Sequence, residues 1–99
     1  MSVAFDEVVA KITDAASQVE ADRNASPVLV AVVREFQTKL VKAQSQATDG
    51  KPGHDSVMEL EQAGDSAKAA AEADPNLGES ARQAVLDAHL AICILKTEI

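Results

Sequence analysis

The C-terminal segment, residues 81–99, constrains the fold more than any other part of the chain. Its apolar residues recur every three or four positions, which is the spacing of one face of an α-helix. They are Ala81, Val85, Ala88, Ile92, Leu95 and Ile99. Residues 91–95 are all apolar, and five consecutive helical residues point in every direction around the helix axis. The end of this helix must therefore be surrounded, either by the rest of the chain or by a second copy of it.

Composition favours other helices as the surroundings. The chain of 99 residues has two aromatic side chains, Phe5 and Phe36, whereas nineteen residues are alanine. A core of Val, Leu, Ile and Ala suits closely spaced helices, while small β-sandwiches and barrels draw on aromatic and β-branched residues. The composition predicts an all-α protein.

Polar breaks and turn-forming residues divide the chain into four helical segments, at residues 3–22, 27–46, 56–73 and 79–98. Ser26 and Pro27 are typical of an N-cap and a first helical position. Ser56 and Glu59 fit a capping box at the start of the third helix. The stretch Val28–Val33 could also form a buried strand, but helical spacing continues beyond it and favours a helix.

Two short connections and one long loop, Ala47–Asp55, join these segments. Short connections place consecutive helices antiparallel, so the chain is expected to form a single domain over residues 1–99. The predicted architecture is an up-down-up-down four-helix bundle made of two helical hairpins. No internal repeat of sequence is convincing. Gly64 interrupts a third helix of small residues, and we interpret it as a point of close helix contact.

The net charge of −7 argues against nucleic acid as a partner, because the nine basic residues are scattered singly. The same deficit argues against binding to an anionic membrane surface, and no stretch approaches the length of a transmembrane helix. One cysteine cannot form an internal disulfide, and acidic residues stand where a secretory signal would be basic. The chain is therefore expected to be soluble and cytoplasmic.

His89 and Cys93 are four residues apart, so they share a helix face and could both bind a metal. A small-molecule or metal site would need further ligands, for which the candidates are His54 and the third-helix carboxylates Glu59, Glu61 and Asp65. These residues form no recognisable ligand spacing. We therefore expect no metal and no cofactor, with Cys93 serving as a small core residue.

Besides the small-molecule or metal site, a second alternative function is phosphotransfer through His89, since histidine phosphotransfer domains are also small acidic four-helix bundles. Their reactive histidine is followed by Lys and Gly, whereas His89 is followed by Leu90, Ala91 and Ile92. No nucleophile is accompanied by a recognisable base in the sequence. The sequence thus predicts a protein that is not an enzyme.

Two stretches are apolar around the whole helix, Val28–Val33 and Ala91–Leu95. In the predicted bundle they lie at opposite ends, so they cannot cover each other within one chain. A two-fold axis perpendicular to the bundle would bring each against the other stretch of a second copy. The sequence therefore predicts a homodimer, acting as a non-catalytic protein–protein interaction or assembly module. Its expected interface residues are Val28, Val30, Val32, Ile92, Ile94 and Leu95.

Overall fold

The computed structural model describes residues 3–98 and contains four helices. Their bounds are α1 Val3–Ala21, α2 Pro27–Gln46, α3 His54–Ala73 and α4 Glu79–Lys96. The described part of the chain contains no strand, and its one isolated antiparallel bridge joins Thr48 and Lys51. The predicted all-α four-helix bundle is confirmed.

The helices form a ring in which each packs against its neighbours in the chain, and α4 closes the ring against α1. The most extensively packed pairs are α1 with α4 and α2 with α3, so the two hairpins are joined along two long seams. The apolar stripe of α4 lies in the core that these seams enclose. Its last predicted member, Ile99, lies outside the described residues.

Two of the predicted helix starts have different outcomes. The Ser26 hydroxyl accepts a hydrogen bond from the Leu29 amide at 3.1 Å and caps α2 as expected. The capping box on α3 is wrong, because the helix begins two residues earlier, at His54, after an N-cap at Gly53. Ser56 consequently lies inside the helix, buried, where its hydroxyl donates to Gln46 Oε1 at 3.4 Å.

Gly64 is buried where α3 crosses the core. A Cβ atom at this position would lie 3.2 Å from Ile92 Cδ1 and 3.4 Å from Phe36 Cζ. Both contacts are tighter than or at the limit of ordinary van der Waals packing, so the absent side chain lets α2 and α4 approach α3. The predicted close contact at Gly64 is confirmed.

The short loops of the two hairpins have the same hydrogen bonds, 52 positions apart. In each loop an aspartate, Asp22 or Asp74, accepts a bond from the amide two residues later, on Asn24 or Asn76. The second carboxylate oxygen of each aspartate accepts from the opposite loop. Asp74 binds the Ser26 amide and Asp22 binds the Gly78 amide, both at 2.8 Å. Such reciprocal contacts are those that an approximate two-fold axis between the hairpins produces.

The core repeats with the same interval of 52 residues. Equivalent positions that are buried in both hairpins include Val8 and Leu60, Ala15 and Ala67, Val19 and Ala71, Val33 and Val85, and Leu40 and Ile92. Sequence comparison alone does not show this repeat, because most equivalent core residues differ in identity. The repeat makes every position in one hairpin comparable with a position in the other.

Candidate functional site

The structure places the six predicted interface residues in different environments. Ile92 and Leu95 are buried in the chain's own core, so they are not available to a partner. Val30 and Val32 are half-buried and pack against that core. Val28 and Ile94 are 67% and 51% exposed. Less apolar surface is uncovered than the sequence indicated, because each helix in a closed ring is covered by two neighbouring helices as well as by the core.

Ile94 belongs to an apolar stripe on the outer side of α4. Leu86, Leu90 and Ile94 follow one another at four-residue spacing, and Leu90 and Ile94 are more than half exposed. We call these three residues the outer stripe. It adds a second apolar face to a helix that already buries one in the core, which is unusual for a helix at the surface of a bundle.

Val3, at the start of α1 and 83% exposed, extends this apolar area across the groove between α1 and α4. We refer to Val3 and the outer stripe together as the α1–α4 surface. Val3 and Ile94 share a concavity of about 340 Å³, and Leu90 and Ile94 share an adjoining one of about 270 Å³. The charged residues that line these concavities are Glu7, Lys11, Asp87 and Glu98.

The equivalent surface on the other hairpin lies between α3 and α2, and it is polar. The residues equivalent to the outer stripe are Arg34, Thr38 and Lys42, and Asp55 is equivalent to Val3. Glu59 closes this groove, since Lys39 and Lys42 each donate to its Oε1 at 3.0 Å. These hydrogen bonds hold the pKa of Glu59 below its ordinary value, and the bond from Lys39 to Glu59 raises the pKa of Lys39.

A second distinct feature is the polar face that α4 turns towards α3. His89 Nε2 lies 2.8 Å from Asp65 Oδ1, and Cys93 Sγ lies 3.9 Å from His89 Nδ1. One turn further, Lys96 Nζ lies 2.8 Å from Glu61 Oε2, and this hydrogen bond raises the pKa of Lys96. The antiparallel packing of α3 and α4 thus pairs the residues of this face in order along the groove.

The residues of the alternative small-molecule or metal site do not come together in one place. His54 is exposed at the first position of α3, and it lines a cavity of about 140 Å³ with Val57, Met58 and Lys96. His89 and Asp65 pair about two helical turns away along the groove, outside that cavity. Within residues 3–98 no three His, Cys, Asp or Glu side chains are grouped so as to hold a metal ion.

Asp65 is one of four candidate partners that the sequence offers for His89 and Cys93, and the sequence does not indicate which of the four lies next to them. The spacing of His89 and Cys93 was visible, but Asp65 joins them only through the register of α3 against α4. Gly64 indicates that register, because a Cβ placed on it would lie 3.8 Å from His89 Cδ2, and the next residue, Asp65, is therefore opposite the same turn of α4. The sequence indicates that Gly64 makes a close helix contact, but it does not indicate that the neighbouring residue on α4 is His89.

Comparisons of the chain with protein-family models, with curated proteins and with solved structures found no match. Among the described residues, no helix is both long enough and apolar enough to cross a membrane. The comparison that bears on function is therefore the internal one, between equivalent surfaces of the two hairpins.

Proposed function

We propose that this protein is a non-catalytic assembly module that self-associates through its α1–α4 surface. The observation that carries the proposal is the contrast between equivalent helices. The outer stripe of α4 is apolar at all three positions where α2 carries Arg34, Thr38 and Lys42. The scaffold itself tolerates polar residues at these positions, so folding does not require the apolar ones. A surface that is apolar without being needed for the core is typical of an interaction site.

The occupant that fits this surface is a second copy of the chain. A two-fold axis parallel to the bundle would set α4 of one copy against α1 of the other. Val3 would then lie beside Ile94 of the second copy, and Lys11 would lie beside its Asp87. Apolar residues would thus meet apolar ones, and the groove's lysine would meet an acidic residue. This arrangement replaces the one expected from the sequence, which depended on the buried Ile92 and Leu95.

The size of the face is adequate for a dimer. The bundle measures 40 by 19 by 18 Å. One long face therefore has an area comparable to the roughly 800 Å² that each partner buries in an interface of standard size. The net charge of −7 on each copy opposes association, and salt screens that repulsion. We expect association to strengthen as salt concentration rises.

Light scattering over a range of micromolar concentrations tests the proposal. The expected result is a mass approaching twice 10.4 kDa, and a mass of 10.4 kDa at every concentration and salt level would contradict it. Ile94→Glu should give monomers that remain folded by circular dichroism. Val41→Glu is the matched control, because it adds the same charge at an exposed valine on α2 and should leave the dimer intact.

Val28→Glu separates the two possible interfaces. The α1–α4 surface does not include Val28, so this variant should remain dimeric. A monomeric Val28→Glu together with a dimeric Ile94→Glu would show that the start of α2 carries the interface instead.

A further inference from the structure

We propose that Cys93 is a modification site, at which the thiol undergoes exchange with small disulfides, assisted by His89 and Asp65. The inference does not depend on self-association. It rests on three side chains from two helices, arranged as a nucleophile, a base within reach of it, and a carboxylate that orients the base. The distances are 3.9 Å from Cys93 Sγ to His89 Nδ1 and 2.8 Å from His89 Nε2 to Asp65 Oδ1.

The carboxylate determines which nitrogen of His89 can act as the base. An ionised carboxylate only accepts hydrogen bonds, so the His89 Nε2 that faces Asp65 must carry a proton. In the neutral imidazole the other nitrogen, Nδ1, then has a free electron pair, and this is the atom that faces Cys93 Sγ. The orientation is the one needed for His89 to take the proton of the thiol.

The packing around His89 holds the ring in place. Gly64 lies against the ring, since a Cβ there would be in ordinary van der Waals contact with His89 Cδ2 at 3.8 Å. The ring and the Cys93 side chain are both partly exposed, so a small reagent can reach the sulfur.

A cavity of about 140 Å³ lies one helical turn beyond Cys93 along the groove between α3 and α4, and it is lined by His54, Val57, Met58 and Lys96. Cys93 is not part of that lining, so the cavity can receive only the far end of a reagent whose sulfur reaches Cys93. Its lining is mainly aliphatic, which suits the short carbon arm of a small uncharged disulfide rather than a large or highly charged one.

The exchange balances without a further reagent. His89 Nδ1 takes the thiol proton, and the Cys93 sulfur forms a bond to one sulfur of the small disulfide while the original S–S bond breaks. The departing thiolate takes the proton from His89 and leaves as a thiol. Cys93 is thereby oxidised to a mixed disulfide, and the other half of the reagent is reduced.

The test measures the rate at which bis(2-hydroxyethyl) disulfide modifies the intact chain, followed by mass spectrometry. The fold supplies a control at the equivalent position, because Val41 is equivalent to Cys93 and Gln37 to His89. Val41 is 64% exposed whereas Cys93 is partly buried, so the control thiol is the more accessible of the two and a faster reaction of Cys93 does not come from access. The control variant carries Val41→Cys and Cys93→Ala, so its thiol lies on the same face of an equivalent helix without a histidine. Cys93 should react about tenfold faster than this control, since an assisting base commonly accelerates proton transfer by that much or more.

His89→Gln should lower the rate to that of the control, and Asp65→Asn should lower it in part. Glu79→Gln, which removes an exposed charge at the start of α4, should leave it unchanged. Circular dichroism verifies that each variant is folded. The proposal is overturned if folded His89→Gln reacts as fast as the unmodified sequence.

Discussion

The outer faces of α2 and α4 occupy equivalent places in the two hairpins, and they have opposite character. On α2 the face carries Lys42, which binds Glu59 across the groove to α3. On α4 the equivalent position is Ile94, and Glu7, the residue equivalent to Glu59, lines the apolar groove beside it. One groove is thus closed by charge pairs within the chain, while the other is left open and apolar. Because the same backbone supports both, the difference is informative about interaction rather than about folding.

The two hairpins also fill equivalent core positions with side chains of different size. Substitutions at these positions should have the largest effect on the free energy of unfolding. Gly64 is equivalent to Ile12, and Phe36, which contacts Gly64, is equivalent to Ala88. Phe36→Ala should therefore lower the free energy of unfolding by about 3–5 kcal/mol. Gly64→Ile alone should destabilise by about 1–3 kcal/mol through overpacking.

Combining the two substitutions should restore the large–small pairing of the other hairpin. Urea unfolding of all three variants measures this as a double-mutant cycle, and the double variant should be more stable than the sum of single effects predicts. Strict additivity would mean that the two positions do not share one space. A rise in stability on Gly64→Ile alone would contradict the close contact at Gly64.

Replacing the two loop aspartates should reduce stability by a smaller amount, and the loss should be greater for Asp74 than for Asp22. Asp74 is buried and accepts hydrogen bonds from two amides, whereas Asp22 makes the equivalent bonds in a more exposed position. Asp74→Ala should lower the free energy of unfolding by about 1–3 kcal/mol, because it leaves two partly buried amide donors, on Ser26 and Asn76, without their acceptor. Asp22→Ala should cost less, because water can replace the lost acceptor. Equal losses in urea melts, or a larger loss for Asp22→Ala, would contradict this account of the loops.

The sequence was sufficient for the fold because helix periodicity and turn residues are local properties. The core stripe of α4, the cap at Ser26 and the contact at Gly64 were all predicted from spacing and residue type. The start of α3 was not, since Ser56 offers an apparent cap while the backbone begins the helix after Gly53. The repeat was also missed, because it is preserved in burial and hydrogen bonding rather than in residue identity.

The candidate sites required information that single-helix patterns do not contain. Exposure of Leu90 and burial of Leu95 depend on which directions the neighbouring helices cover, although both residues are leucines on the same helix. The contact between His89 and Asp65 depends on the register of two antiparallel helices. These are properties of tertiary packing, and a stripe on one helix does not determine them.

The smallest predicted effect is a pH dependence of stability, and it arises from Glu59 in the groove between α2 and α3. The hydrogen bonds from Lys39 and Lys42 hold the pKa of Glu59 below its ordinary value of 4.5. Glu59 therefore contributes stability that is present above pH 4.5 and is lost as pH falls through its lowered pKa, because the unfolded chain takes up the proton first. The stability difference between the unmodified chain and Glu59→Gln should shrink on acidification. Urea midpoints measured from pH 7 downwards test this, and a difference that stays constant or grows would contradict it.

The measurement that tests the central comparison most directly is sedimentation equilibrium on a chain whose α4 outer face is replaced by that of α2. The variant carries Leu86→Arg, Leu90→Thr and Ile94→Lys, so each new residue already occurs at the equivalent position of α2. We predict that the unmodified chain is a dimer, and that the variant is a folded monomer of about 10.4 kDa with an unchanged helix content. A variant that remains dimeric, or an unmodified chain that is monomeric throughout, would contradict the assignment of the α1–α4 surface as the site of self-association.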